Sequence, residues 1–260
     1  MLDDIVMSKQ LEVEAAKDRL PLELLKIRLG NHFAERNLRK AIGRPGTLSL
    51  IAELKRKSPS KGMLRERFDP VSLSQAMEQA GASALSVLTD EPFFGGSLEF
   101  LRDVKQFSEV PVLRKDFIVD VYQVYEAALY QADAVLLIVR LLTEEQLLEC
   151  MQAADKLGLE PLVEVHSLGE LKLALSMGAH VIGVNSRDLQ TFALQPNLIE
   201  QLRPHIPAGK VVVAESGIQT AQDVRRLKSL GVQAVLICEA LMTAPDPAAK
   251  IKELFAGTWS

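Results

Sequence analysis

The sequence predicts a single (β/α)8 TIM barrel over residues 46–260, preceded by a helical extension over residues 1–45. Three observations carry the prediction. Eight short apolar runs recur at intervals of about 20 to 36 residues, amphipathic stretches alternate with them, and charged or amide side chains gather where the runs end.

The extension comes first. Leu2, Ile5, Val6, Leu11 and Val13, then Leu20, Leu22, Leu24, Leu25 and Ile27, are interleaved with charges at near-helical spacing, Gly30-Asn31 reads as a helix stop, and Arg44-Pro45-Gly46-Thr47 as a turn. From residue 48 the pattern becomes that of buried parallel strands: LSLIAEL (48–54), ALSVLT (84–89), PVLRKDF (111–117), AVLLIV (134–139), PLVEVH (161–166), VIGVN (181–185), VVVAES (211–216) and AVLIC (234–238). Helices are expected between them, as at 72–80, 123–130, 144–157, 168–177 and 221–230. Gly81, Gly178 and Gly231 stand where a left-handed helix cap would end three of these. A doubly wound open sheet is the alternative. It fits less well, because the first strand is not followed by a G-x-G-x-x-G turn and no phosphate loop of the G-x-x-x-x-G-K-[ST] kind occurs.

Composition narrows the function. A chain of 260 residues buries roughly three quarters of the surface its unfolded form exposes, so it needs neither disulfide nor structural metal. Cys150 and Cys238 cannot form a disulfide framework, and no zinc-type Cys/His spacing exists, so no metal and no cofactor are expected. The acidic, amphipathic start lacks the pattern of a secretion signal, and no apolar stretch is long enough for a membrane span. Cytoplasmic residence, no membrane partner and a natural C-terminus are the expectations. A net charge of −4 argues against a nucleic-acid partner, so positive charge for an anionic ligand must be local.

In a barrel the informative residues are polar ones at the C-terminal ends of strands, where active sites are built. Glu53 and Lys55 stand at i and i+2 at the end of the first run, hence on one face, and a cationic, hydroxyl-rich loop, Lys57-Ser58-Pro59-Ser60-Lys61-Gly62, follows. A solvated strand end would explain that segment alone. The third run carries Arg114-Lys115-Asp116-Phe117, the fifth Glu164 between two valines, the sixth Asn185-Ser186-Arg187-Asp188, and the seventh Glu215-Ser216-Gly217. Any one of these fits a structural ion pair; together they favour a catalytic mouth. Ser216-Gly217 and Cys238-Glu239 each open a predicted helix, the usual place for a barrel to hold phosphate. Glu239 would repel phosphate unless its side chain turned away to cap the helix. Phe93-Phe94-Gly95-Gly96 is either a packed loop or, with Phe117, the wall of an aromatic pocket.

Taken in order, IAELKRKSPSKG, SVLTDEPFFGGSLEFL, PVLRKDFIVDVYQVYEA, LVEVHSLGEL, GVNSRDLQTF, VAESGI and AVLICEALM resemble the indole-3-glycerol phosphate synthase family of tryptophan biosynthesis. The resemblance spans about residues 48 to 253, and the helical extension is also similar. It implies ring closure, decarboxylation and dehydration of 1-(2-carboxyphenylamino)-1-deoxyribulose 5-phosphate to indole-3-glycerol phosphate, carbon dioxide and water. It further implies Lys115 as general acid, with a proton that cations such as Lys55 would loosen and carboxylates would hold. Glu164 is implied in dehydration, Glu53 in charge stabilisation or proton transfer, and Lys55 in gripping a substrate anion. By the same resemblance Asn185 and Arg187 orient substrate, Ser58, Glu215 and Ser216 complete the polar ring, and Phe94 and Phe117 form apolar walls. Lys55, Ser216, Gly217, Cys238 and Glu239 would receive the phosphate. One departure is Cys238, which stands where the family usually has glycine; it is expected to be harmless if the backbone there is ordinary. The partner expected is a phosphorylated aromatic small molecule acting on a monomer, with association with other tryptophan-pathway enzymes as the one protein partnership considered. A sister phosphate-binding barrel isomerase and a non-catalytic ligand-binding barrel are the competing functions.

Overall fold

The computed structural model describes residues 1–259. Eight strands form the barrel: β1 (Ser49–Leu54), β2 (Ala84–Leu88), β3 (Val112–Lys115), β4 (Ala134–Ile138), β5 (Glu160–Val165), β6 (Val181–Asn185), β7 (Val211–Glu215) and β8 (Ala234–Ile237). Each pairs in parallel with its sequence neighbours, and β8 pairs with β1 to close the ring. All eight predicted runs are strands, with ends that move by one or two residues. The third shortens most, because the chain leaves the sheet at Asp116, whose carboxylate takes the Phe117 N–H at 2.8 Å.

The strands read as unbroken apolar runs because both faces are covered. Ile51, Leu113, Leu136, Leu162, Val181, Val213 and Leu236 fill the barrel interior, while the alternate residues pack under the surrounding helices. That period-two alternation fixes which ionisable groups point inward.

The helices on the barrel begin with α4 (Pro70–Gln79), α5 (Leu98–Phe107), α6 (Tyr122–Leu129), α7 (Glu144–Leu157), α8 (Leu168–Ser176), α9 (Leu198–Leu202) and α10 (Ala221–Ser229), and end with α11 (Glu239–Met242) and α12 (Pro247–Leu254). The expected 144–157 helix has those bounds, opened by a Thr143/Gln146 capping box and closed by left-handed Gly158. Gly81, Gly178 and Gly231 all have positive φ just past helix ends, as predicted.

The extension forms α1 (Leu2–Arg19), α2 (Leu22–Leu29) and α3 (Leu38–Ile42). Leu38 and Ile42 join the interior cluster, and Arg39 reaches Glu160, the first residue of β5, so α3 covers the end where strands begin. Helix α1 runs along the other end. Its Val13 and Ala16 pack with Leu25 and Tyr122, the Tyr122 hydroxyl donates to the carbonyls of Ala16 and Leu20, and Lys17 meets Asp120 at 2.7 Å. No helix among the described residues is long and apolar enough to cross a membrane.

Candidate active site

The C-terminal ends of the strands surround a cleft of about 1090 Å³, counted out to its open mouth. The residues given site roles all line it, namely Glu53, Lys55, Ser58, Phe94, Lys115, Phe117, Glu164, Asn185, Arg187, Glu215, Ser216, Gly217, Cys238 and Glu239, whereas Lys57, Lys61, Phe93, Arg114, Ser186 and Asp188 from the same charged or aromatic segments do not. Strand alternation explains the convergence, since Glu53, Lys115, Glu164, Asn185 and Glu215 each lie an even number of residues from an inward apolar side chain of their own strand.

Lys115 is at the centre. Its Nζ lies 3.5 Å from Glu164 Oε2 and 3.6 Å from Glu215 Oε2. Burial alone would loosen its proton, but Glu164, Glu215 and Glu53 together outweigh that, and the ammonium is held well above the ordinary lysine range. Of the two opposing influences foreseen for Lys115, the carboxylates win over Lys55.

The carboxylates differ from one another. Glu164 is wholly buried, yet Lys115, His166 and the Asn185 amide, which donates to Glu164 Oε1 at 3.1 Å, keep it anionic and below the usual range. Burial also works against the charge of Glu53, but Lys55 and Lys115 lower it; Lys55 Nζ is 3.2 Å from Oε1, and the Ser86 hydroxyl donates to Oε2 at 3.1 Å. Glu215 goes the other way. Burial and the neighbouring Glu164 charge push it well above the carboxylate range, and neither of its oxygens has a hydrogen-bond partner. Glu215 shares the Lys115 ammonium with Glu164, which His166 and Asn185 also support, and Glu215 is therefore the carboxyl of this group that holds its proton most firmly. A Cβ built on Gly183 of β6 would collide with the Glu215 carboxyl, so the missing side chain there makes the space that Glu215 occupies.

Around this centre, Asn185 Oδ1 accepts the Arg187 N–H at 3.0 Å and the Ser216 hydroxyl at 2.8 Å, tying the ends of β6 and β7 together. Ser216 and Gly217 are consecutive left-handed residues, with φ of 66° and 76°, which turn the chain sharply toward α10. Ser58 Oγ accepts the Lys61 N–H, in a loop pinned by a two-stranded ribbon of Lys57–Ser58 and Gly62–Met63. The Phe94 and Phe117 rings pack against each other, tilted by 34° with centroids 5.6 Å apart, and Lys55 Nζ sits 6.0 Å from the Phe94 centroid. Cys238 precedes α11 with φ −121°, outside the left-handed region, and burial pushes its thiol up to about 12. Glu239 does not cap α11; its carboxylate lies 3.5 Å from Lys61 and 3.6 Å from Arg187, which offset its charge.

Sequence reasoning missed three contributors. Ile5 of α1 lines the cleft, although it reads only as one more apolar position of an amphipathic helix. His166 was placed in the fifth run without a role. Its ring nitrogens lie 3.2 Å from Glu164 and 3.4 Å from Glu170, at ion-pair distance though not aligned for hydrogen bonds, and these contacts raise it to about 9 against the effect of burial. Gly183 leaves no signal except the absence of a side chain.

The sequence model described as indole-3-glycerol phosphate synthase matches residues 2–254. The chain belongs to the indole-3-glycerol phosphate synthase family. It is 48% identical over 259 residues to the indole-3-glycerol phosphate synthase of Dehalococcoides mccartyi (strain CBDB1), covering 98% of this chain and 99% of that one. The corresponding protein of Carboxydothermus hydrogenoformans is 44% identical over 262 residues, with 98% and 99% covered. Among solved structures, 3-hexulose-6-phosphate synthase from Salmonella typhimurium superimposes with a TM-score of 0.65 at 16% identity, covering 80% of this chain and 96% of that one. Thiamine phosphate pyrophosphorylase from Pyrococcus furiosus gives 0.61 at 23% identity, covering 84% and 96%. The structural likeness establishes the barrel, while the sequence likeness sets this chain among the family's carboxy-lyases of tryptophan biosynthesis.

Proposed function

We propose that the chain performs the family's reaction with Lys115 as the general acid of ring closure. The observation that carries this is the position of the Lys115 ammonium at the meeting point of Glu164, Glu215 and Glu53, buried and firmly protonated. Attack of the substrate's ring carbon on the C2′ carbonyl generates an alkoxide, and a charged ammonium is the group that can protonate it. Carbon dioxide then leaves the same ring carbon. The new hydroxyl departs as water, and a base removes a proton from C1′ as the pyrrole forms. Glu164, kept anionic by Lys115, His166 and Asn185, suits the dehydration step, and Glu53 beside Lys55 suits stabilising the cationic nitrogen that precedes it.

Binding follows from the rim. Lys55 and Arg187 supply local positive charge, Asn185 and Ser216 orient the sugar chain, and the packed Phe94–Phe117 pair gives the aromatic ring an apolar wall. Gly217 with the Cys238-Glu239 segment receives the phosphate, Lys61 and Arg187 having offset the Glu239 charge. Its negative φ suits Cys238 to this place as a side-chain-bearing residue. The chain acts as a cytoplasmic monomer on free substrate, a setting that agrees with two free cysteines.

The test is to add the carboxyphenylamino substrate and follow indole fluorescence together with carbon dioxide release. Both are expected in equal amounts. Turnover without carbon dioxide would favour an isomerase, and tight binding without turnover a ligand-binding barrel.

A further inference from the structure

The most deeply buried lysine in the molecule is outside the barrel sequence. Lys9 of α1 is fully buried, an expensive place for an ammonium unless several partners compensate it. Its Nζ lies 2.8 Å from Glu12 Oε2 on its own helix, 2.9 Å from Asp116 Oδ1 and 3.3 Å from Asp90 Oδ2. The two aspartates come from different loops, Asp90 just after β2 and Asp116 just after β3.

Each aspartate organises the backbone of one aromatic wall. Asp90 Oδ1 accepts the N–H groups of Phe93 and Phe94 at 2.9 and 3.1 Å. Asp116 accepts the Phe117 N–H at 2.8 Å, with its other oxygen held by the Thr89 hydroxyl and Arg114. One ammonium from the N-terminal helix therefore joins the supports of Phe94 and Phe117, whose rings pack together in the cleft wall with centroids 5.6 Å apart. The arrangement is unequal: Asp116 has Arg114 as a second cation, whereas Lys9 is the one cation paired with Asp90 among the described residues.

We propose that Lys9 is a positioning residue that sets the placement of the packed Phe94–Phe117 pair as an aromatic wall of the active site. The proposal deepens the reading of Phe94 and Phe117 as ring walls and rests on it. Removing the Lys9 charge frees the loop after β2 more than the strand that carries Lys115, which the sheet ladder still holds. The loss therefore falls on recognition of the aromatic ring.

The test compares Lys9→Met with Lys17→Met. Lys17, on the same helix as Lys9, pairs with Asp120 just before α6, away from the cleft, and so controls for loosened docking of α1. In Lys9→Met, KM is expected to rise about tenfold or more with kcat within about threefold, and Lys17→Met to stay near wild type. Competition by 2-aminobenzoate, the aromatic half of the substrate, should weaken in Lys9→Met while competition by inorganic phosphate is retained. Equal effects of the two substitutions, or equal loss of both competitors, would overturn the proposal. Should Lys9→Met not fold, Asp90→Asn cuts the same link while keeping an acceptor for the Phe94 N–H, and an unchanged KM there is equally fatal. An inactive wild type would sink the proposed reaction instead, while direct binding of 2-aminobenzoate would still decide the role of Lys9.

Discussion

Arg114 faces outward from β3, Lys115 faces inward, and Asp116 just past the strand turns its carboxylate back to Arg114, so adjacent residues build two charged clusters of opposite character. The outer one is saturated: Arg114 meets Asp116 at 3.1 Å, Glu126 at 2.9 Å and the Gln123 carbonyl at 2.8 Å, and Asp116 also has Lys9 and Thr89. Arg114, Lys9 and the Thr89 hydroxyl overcome burial and hold Asp116 down to about 2. The inner cluster is left incomplete, since neither oxygen of Glu215, which lines the cleft, accepts a hydrogen bond. The contrast separates structural charge from working charge. A buried ion whose partners are all protein stabilises one conformation, and a buried ion with unused hydrogen-bonding capacity facing a cavity is available for chemistry.

The sharpest way to break this contrast is to cut each cluster and ask what is lost. Lys115→Ala should lower kcat by about 10³ to 10⁴ with a modest change in KM, as for a group acting in the transition state. Near-normal turnover would remove Lys115 as the acid. Glu164→Gln should lower kcat by about 10², and an unchanged rate would move its role to Glu53. Arg114→Met should act in the opposite sense, destabilising the fold by about 3–5 kcal/mol while the folded protein keeps kcat within about threefold. A melting curve with kinetics well below its midpoint checks this.

A finer distinction lies at His166, whose folded pKa is raised to about 9 from an ordinary value near 6.5. A raised pKa adds stability that is complete below the unfolded value and fades as pH rises through the folded one. The Tm gap between wild type and His166→Asn should thus be largest near pH 6 and close by about pH 10; a constant gap would mean the imidazole packs rather than pairs. The smallest effect is expected at Cys238→Gly, with KM changed by less than about threefold. A large fall in KM would show that the cysteine side chain obstructs the phosphate.

The barrel was legible because parallel strands covered on both sides must be apolar, so Glu53, Lys115, Glu164 and Glu215 stood out against their neighbours. Lys9 was not legible. In sequence it is an ordinary charge on an amphipathic helix, and the aspartates that bury it lie about 80 and 107 positions away, joined to it only by closure of the fold. The helix α5 has a strongly amphipathic pattern but was not among the stretches named, sitting close behind the Phe93–Ser97 loop that drew the functional reading. The role of Gly183 and the upward shift of Glu215 depend on distances between β6, β5 and β7, which no single strand's sequence encodes.

The alternation in β3 has an evolutionary consequence. Leu113 and Lys115 share the inward face with the polar centre, and Arg114 shares the outward face with the supporting network. A slip of one residue in that strand would exchange the faces, sending the Lys115 ammonium into the saturated network and the Arg114 guanidinium into the reaction space. Substitutions at the apolar positions Val112 and Leu113 can be tried one at a time by drift, whereas a single inserted or deleted residue displaces Arg114 and Lys115 together. Length in this strand is therefore expected to vary less among working members of the family than the identity of its apolar residues.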